Sequence, residues 1–325
     1  MPNRRRALLC LLLFALLAAA SLTVGLAAGS LDVSSWSALS SLWSGDSLTR
    51  EVVLELRLPR ALAGFACGGL LAVAGALMQI LLRNPLADPY VLGVSGGAGV
   101  GALAAMFFGL SLLAINGLAF VGACGAMLLV FGLAHGESAW TQPRLLLTGV
   151  VVAAGCGAVI ALLLSIAPQE GLRGMLFWLM GDLGHVVEPL PTLLALIIAL
   201  ALTLPFARDL NLLARGEHTA HALGVSVQRL RWLIYGIASL STAVAVSAAG
   251  SIGFVGLIVP HLVRMALGND QRLLLPATAL AGGTLLVLAD TAARTLFAPQ
   301  QLPVGVLTAL LGVPLFLYLL SRQPR

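Results

Sequence analysis

Long apolar runs separated by short polar breaks cover almost the whole chain. About twenty apolar residues are needed to cross the hydrocarbon core of a bilayer. By that ruler the pattern predicts ten membrane-spanning helices, at residues 7–28, 58–82, 91–109, 112–134, 145–167, 190–207, 230–250, 252–267, 274–297 and 304–320. The boundary at 250–252 is the least defined of these. Residues 172–183 make a half-apolar piece too short to span, which predicts a re-entrant or interfacial segment. Residues 32–55 form a polar segment outside the first span, with Trp36 and Trp43 at interface positions. The expected fold class is an all-α integral membrane protein, organised as one transmembrane domain over residues 1–325.

One polar break is different from the rest. After Phe206 the chain reads FARDLNLLARGEHTAHALGVSVQRLRW, about twenty residues of basic, helix-prone sequence carrying Arg208, Arg215, Arg229 and Arg231. Asp209 is placed to cap one short helix, and Glu217 suits the first turn of a second, where a carboxylate complements the helix dipole. Gly224 can end that second helix in the left-handed conformation. Ser226 can cap the helix that leads back into apolar sequence. A loop at about 208–229 shaped in this way presents a rigid surface to a partner.

Composition agrees with the pattern and removes several function classes. The chain has 325 residues, 59% hydrophobic and 10% charged, with a mean hydropathy of +1.02, so lipid is its solvent. All 18 basic residues are arginine. A P-loop requires a lysine on the transferred phosphates, so the chain does not hydrolyse ATP by a Walker-type site of its own. Schiff-base chemistry is excluded for the same reason. The pI near 9.6 reflects arginines spread over short loops, which orient a membrane protein rather than bind nucleic acid. Cys10, Cys67, Cys124 and Cys156 each lie inside an apolar run and read as small buried hydrophobes. The N-terminal stretch resembles a signal peptide, but its apolar run exceeds the usual core, and a retained first helix is expected.

With the amino end inside, thirteen arginines fall on the inner side and five on the outer, which places the 208–229 loop and both termini in the cytoplasm. The second to fifth spans and the seventh to tenth then run in opposite senses, as inverted repeats would. An ion-gradient transporter is the rival class. It would need ionisable groups at mid-membrane, whereas the charged residues here cluster near span ends.

No catalytic constellation, cofactor motif or metal-ligand set appears. His218 and His221 are three apart but lack a suitable third ligand, so a solvated helix face is expected. Gly93, Gly97 and Gly101 are four apart in GVSGGAGVG, where glycines on one helix face admit a neighbouring backbone and can also make room beside a passage. Arg57 and Arg60, in LRLPR, and Arg294 are among the five outer arginines. They either snorkel to the interface, with Arg294 paired to Asp290, or form an anion-seeking patch for a soluble protein.

LRLPRALAGFACGGLLAVAGALMQILLRNPLADPYVLGVSGGAGVG resembles the second and third spans of the FecCD family. These are permease subunits of type II ABC importers for vitamin B12, iron–siderophore complexes and haem. LNLLARGEHTAHALGV is similar to that family's paired coupling helices, GSIGFVGLIVPHLVR to its eighth-span signature, and LADTAARTLFAPQQLPVGVLTALLGVPLFLYLL to its last two spans. The resemblance implies a ten-span permease of the bacterial cytoplasmic membrane that pairs with a second permease subunit, identical or closely related. It also implies two cytoplasmic ATPase subunits held by the coupling helices, with Arg215, Gly216, Glu217, Ala220, Leu223 and Gly224 at that contact. A periplasmic or lipid-anchored binding protein would dock its glutamates on Arg57, Arg60 and Arg294. The lysine-free sequence fits a permease whose energy comes from another chain. The motifs do not name the chelate.

The topology is open to direct test. In a variant lacking the four native cysteines, a cysteine introduced as His218→Cys is expected to react with a membrane-impermeant thiol reagent only after the inner side is opened. Labelling from outside would reverse the orientation.

Overall fold

The computed structural model describes residues 4–28, 50–134, 142–186 and 188–322, and among these every regular element is helical. Trp36, Trp43 and His135 lie outside the described residues. The elements are α1 (Arg4–Ala27), α2 (Leu58–Leu81), α3 (Val94–Phe107), α4 (Leu112–Ala134), α5 (Gln142–Ile166), α6 (Gln169–Leu179) and α7 (Leu190–Thr203). They continue with α8 (Ala207–Ala214), α9 (Glu217–Ala222), α10 (Val227–Ala249), α11 (Val255–Leu267), α12 (Gln271–Thr295) and α13 (Val304–Arg322). Seven helical stretches among the described residues are long and apolar enough to cross a membrane, one of them α7 continued through a 3-10 turn into α8 (Leu190–Ala214). Three shorter apolar helices, α3, α11 and α13, bring the number to ten. The short piece after the fifth span is α6, eleven residues long, and α8 and α9 are the two short helices of the polar loop.

The core is built around α2. It is buried at almost every position from Ala61 to Leu81, as expected of a helix that is apolar all round. Lipid offers no hydrophobic drive to bring such helices together, so close approach of small residues has to hold them. Gly68 lies against the backbone of Gly282 in α12, and Gly75 against that of Gly256 in α11, where a side-chain carbon would overlap a carbonyl oxygen. Gly64 and Gly69 meet Val287 and Ala279, so α2 and α12 run side by side along much of their length. By contrast, α1, α4 and α5 leave broad apolar faces exposed.

The uncertain boundary at 250–252 is a true interruption. α10 ends at Ala249, Gly250 (φ 69°) and Phe254 (φ 70°) both take left-handed backbone, and α11 starts at Val255. Because Gly256 packs on Gly75, six residues before the end of α2, the break lies inside the bundle. Irregular backbone at such depth requires internal partners, and it has them. Tyr90 donates from its hydroxyl to the Ile252 carbonyl (2.9 Å) and accepts from the Ile252 N–H (3.0 Å). The Asp182 N–H donates to the Ala249 carbonyl (2.9 Å), and the Ser95 and Ser251 hydroxyls are 2.9 Å apart. Two other irregular segments, the turn before α3 and the strip after α6, therefore converge on the break. A π-helical turn, Val52–Arg57, leads into α2 and has no signature in the hydrophobic pattern.

The glycine contacts yield a paired expectation. Gly75→Ala should lower the thermal midpoint of the detergent-solubilised protein, because overpacking of a filled core costs about 1–3 kcal/mol. Gly125→Ala, in α4 with open space around it, should leave the midpoint unchanged or raise it through helix propensity. Equal midpoints for the two variants would show that the α2–α11 contact is not tight.

Candidate functional sites at the two ends of the bundle

At one end, the start of α2 meets the end of α12. Arg57, the last residue of the π-helical turn, and Arg60, in the first turn of α2, are three apart and lie on one side, and spacing of four places Asp290 and Arg294 on one side of α12. Asp290 is only 2% exposed and serves two guanidinium groups. Arg60 donates to it from Nε (3.1 and 3.0 Å to the two oxygens) and from Nη2 (2.8 Å), while Arg294 donates from Nε (3.1 Å). Arg60 also reaches Gln301 Oε1 from Nη1 (3.0 Å), and its Nη2 lies 3.8 Å from Asp182. A cavity of about 1000 Å³ opens here, with Glu55, Arg57, Arg60, Asp182, His185 and Arg294 in its wall. The three arginines singled out in the sequence thus share one site.

Two of them have backbone partners that sequence reasoning missed. The last carbonyls of a helix have no intrahelical donor and carry the negative end of its dipole. Arg57, itself buried, donates from Nη1 to Leu26 and Ala27 of α1 at 2.8 Å each. Arg294 donates to Gly25 (3.2 Å) and Ala28 (3.3 Å). Four consecutive carbonyls at the end of α1 are capped by two guanidinium groups from other helices. Arg294 and Ala28 are 266 positions apart, and a backbone acceptor leaves no side-chain signature in the sequence.

At the other end, a 3-10 turn (Leu204–Phe206) turns α7 into α8. Gly216 (φ 133°) joins α8 to α9. Gly224 (φ 81°) closes α9 as expected, with the Val225 N–H on the Ala220 carbonyl (3.0 Å). Ser226 does occupy the position before α10, but neither it nor Asp209 caps a helix with its side chain. Of the loop residues tied to a partner contact, Arg215, Leu223 (59% exposed) and Gly224 face outward, and Gly216 is half-buried. Ala220 is fully buried. Glu217 is half-buried and turned inward, accepting from Arg231 Nη2 (2.7 Å) with Arg83 Nη2 at 3.6 Å. His218 and His221 are exposed. A second cavity of about 620 Å³ is bordered by Phe206, Arg208, Asp209, Leu223, Ser226 and Arg229.

Gly97 and Gly101 do share a face, on which they meet the backbone of Gly122 and Leu118 in α4. Gly93 differs from the expectation. It precedes α3, with φ 73°, and faces Val152 in α5. The reason is local: Asp88 caps the 3-10 turn Pro89–Leu92 by accepting from the Tyr90 N–H (2.7 Å), and Gly93 turns the chain out of it.

Comparison with known proteins places this architecture. The model of the FecCD transport family matches residues 12–322. The chain is 44% identical over 281 residues to the cobalamin import system permease protein BtuC of Halobacterium salinarum, covering 85% of this chain and 75% of that protein. It is 42% identical over 321 residues to the hemin transport system permease protein HmuU of Yersinia pestis, covering 93% of each. A solved structure described as a metal-chelate type ABC transporter in an inward-facing conformation superposes with a TM-score of 0.86 at 33% identity, covering 96% of this chain and 99% of that one.

The caps on α1 give a measurable consequence. Buried hydrogen bonds from charged donors contribute about 1.5–3 kcal/mol, so Arg57→Gln and Arg294→Gln should each lower the thermal midpoint of the solubilised protein. Both should also speed proteolysis at the end of α1. Wild-type midpoint and cleavage in both variants would show that α1 is held by other contacts.

Proposed function

The chain belongs to the FecCD transport family, and we propose that, as the membrane permease subunit of an ABC importer, it forms the pathway for a metal chelate together with a second permease subunit. The cargo class is an iron–siderophore complex, haem or a corrinoid. The second subunit is a further copy or a close paralogue. The protein sits in the bacterial cytoplasmic membrane with both termini and the α8–α9 loop in the cytoplasm. Two ATPase subunits sit on that loop, contacting Arg215, Leu223 and Gly224, with Gly216, Glu217 and Ala220 behind them. Gly97 and Gly101, with Gly93 before them, pack the helices beside the pathway. A soluble binding protein delivers cargo to the opposite end.

The observation that carries this reading is the gathering of Arg57, Arg60 and Arg294 around one open cavity, at the end of α2 and α12 remote from the shaped loop. Guanidinium groups held in place by Asp290 and by helix carbonyls are already ordered, so an incoming carboxylate does not have to order them. Pairing across a docking surface that excludes water is worth more than an exposed ion pair.

Arg60→Gln tests docking with the least disturbance to α1, since Arg60 does not cap that helix. In the complete permease–ATPase complex, this variant should weaken association of the cognate binding protein at low salt by roughly tenfold, or about 1.4 kcal/mol. The difference should shrink as salt rises. ATPase co-purification should not change. Arg173→Gln, an exposed arginine that stacks over Phe177 (5.4 Å) on the same side, should behave as wild type. Unaltered affinity and salt dependence for Arg60→Gln would rule out the proposed docking contact.

A further inference from the structure

Each of the two core helices that carry the arginine site is also tied, at its far end, to a different one of the two loop helices. α2 and α12 are joined at the arginine end by the Arg60–Asp290 pair, and along their length by the Gly68–Gly282 contact. Past the other end of α2 stands Arg83, whose guanidinium lies 3.6 Å from Glu217 of α9. Arg231 of α10 holds the same Glu217 oxygen at 2.7 Å. α12 starts at Gln271, immediately after Asp270. The side-chain amide of Asn211, on α8, donates to Asp270 Oδ1 (2.9 Å) and accepts from the Gln271 N–H (2.9 Å). α2 is further fastened at this end through Gln79, which donates to the Leu257 carbonyl (3.1 Å) and accepts from Arg264 of α11 (2.9 Å).

We propose that Glu217 and Asn211 are positioning residues: they clamp α9 to α2 and α10, and α8 to α12, so that the two loop helices follow the α2–α12 pair as one body. The proposal rests on the permease reading above, and it takes Glu217 out of the surface offered to the ATPase. Three features favour clamps over incidental surface pairs. Glu217 is shared by arginines from two separate elements, and one of them, Arg231, is buried. Asn211 uses both halves of its amide on one partner segment, which fixes orientation as well as distance. Arg83 holds a left-handed backbone (φ 45°) where a helix end usually has glycine or asparagine. That unfavourable conformation is kept with an arginine within reach of Glu217.

Spin labels at Thr219 on α9 and Arg272 at the start of α12, both exposed, report the clamp. The test uses the full chain in lipid nanodiscs, with and without its ATPase. The native chain should give one narrow distance distribution, and Glu217→Gln and Asn211→Leu should each broaden it. Both variants should still co-purify with the ATPase. In proteoliposomes offered haemin or cyanocobalamin, cargo taken up per ATP hydrolysed should fall by about fivefold or more. In an otherwise cysteine-free chain, Arg83→Cys with Glu217→Cys should recover that ratio when the two thiols are bridged by a reducible cross-linker, and lose it again on reduction. Unbroadened distances in both variants would overturn the proposal. So would loss of ATPase binding in Glu217→Gln with unchanged distances, which would make Glu217 a contact residue. Absence of ATPase binding and ATP-dependent uptake in the native complex would count against the permease reading instead, whereas the distances test the clamps by themselves.

Discussion

One carboxylate, Asp290, makes the arginine end of this bundle possible. Two guanidinium groups within hydrogen-bonding distance of each other's partner would repel and, in a nearly buried setting, would each carry a large desolvation cost. Asp290 bonds to both and, from α12, ties Arg60 of α2 to Arg294 of its own helix. Arg294 is then oriented so that its other nitrogens reach the end of α1. At this end one shared acid thus links α2 and α12 and orients Arg294 toward α1, which Arg57 also holds, and the open cavity lies among these helices.

Away from the ends, the chain relies on close backbone contact rather than on polar pairs. Every helix of a membrane protein can be apolar on all sides without disadvantage, so hydrophobicity does not choose which helices touch. Glycine does, by letting α2 meet α12 and α11 at distances that any side chain would prevent. The same device works away from α2, since Gly97 of α3 meets Gly122 of α4 and Gly149 of α5 meets Val91, while the remaining faces of α1, α4 and α5 stay apolar and exposed. A tightly packed centre around α2 thus joins the two ends of the bundle, with the more loosely covered helices outside it.

The break at 250–254 shows how irregular backbone is tolerated in such a structure. Tyr90 uses one hydroxyl as both donor and acceptor on Ile252, so a single side chain satisfies both backbone groups of a residue outside any helix. Three irregular segments meet there because each supplies what another lacks. Segments of this kind, set between packed helices, are also where an importer can change shape without unpairing its helices.

The hydrophobic pattern determined the ten apolar runs and the short α6, because length in an apolar solvent is a one-dimensional property. The helical pair α8–α9 and the turn at Gly224 were legible from local helix and backbone preferences in the polar break. Charge placement singled out Arg57, Arg60 and Arg294, and the tertiary structure gathers them at one site. Other features could be decided only in three dimensions. Gly93 leaves the glycine face because a capped 3-10 turn delays the start of α3. Ala220 and Glu217 turn inward on α9, where Glu217 meets Arg231 and Arg83, neither of which is its neighbour in sequence. The caps on α1 were hidden for the same reason: a helix carbonyl is present at every residue, and only the folded chain brings one particular set of four within reach of two arginines.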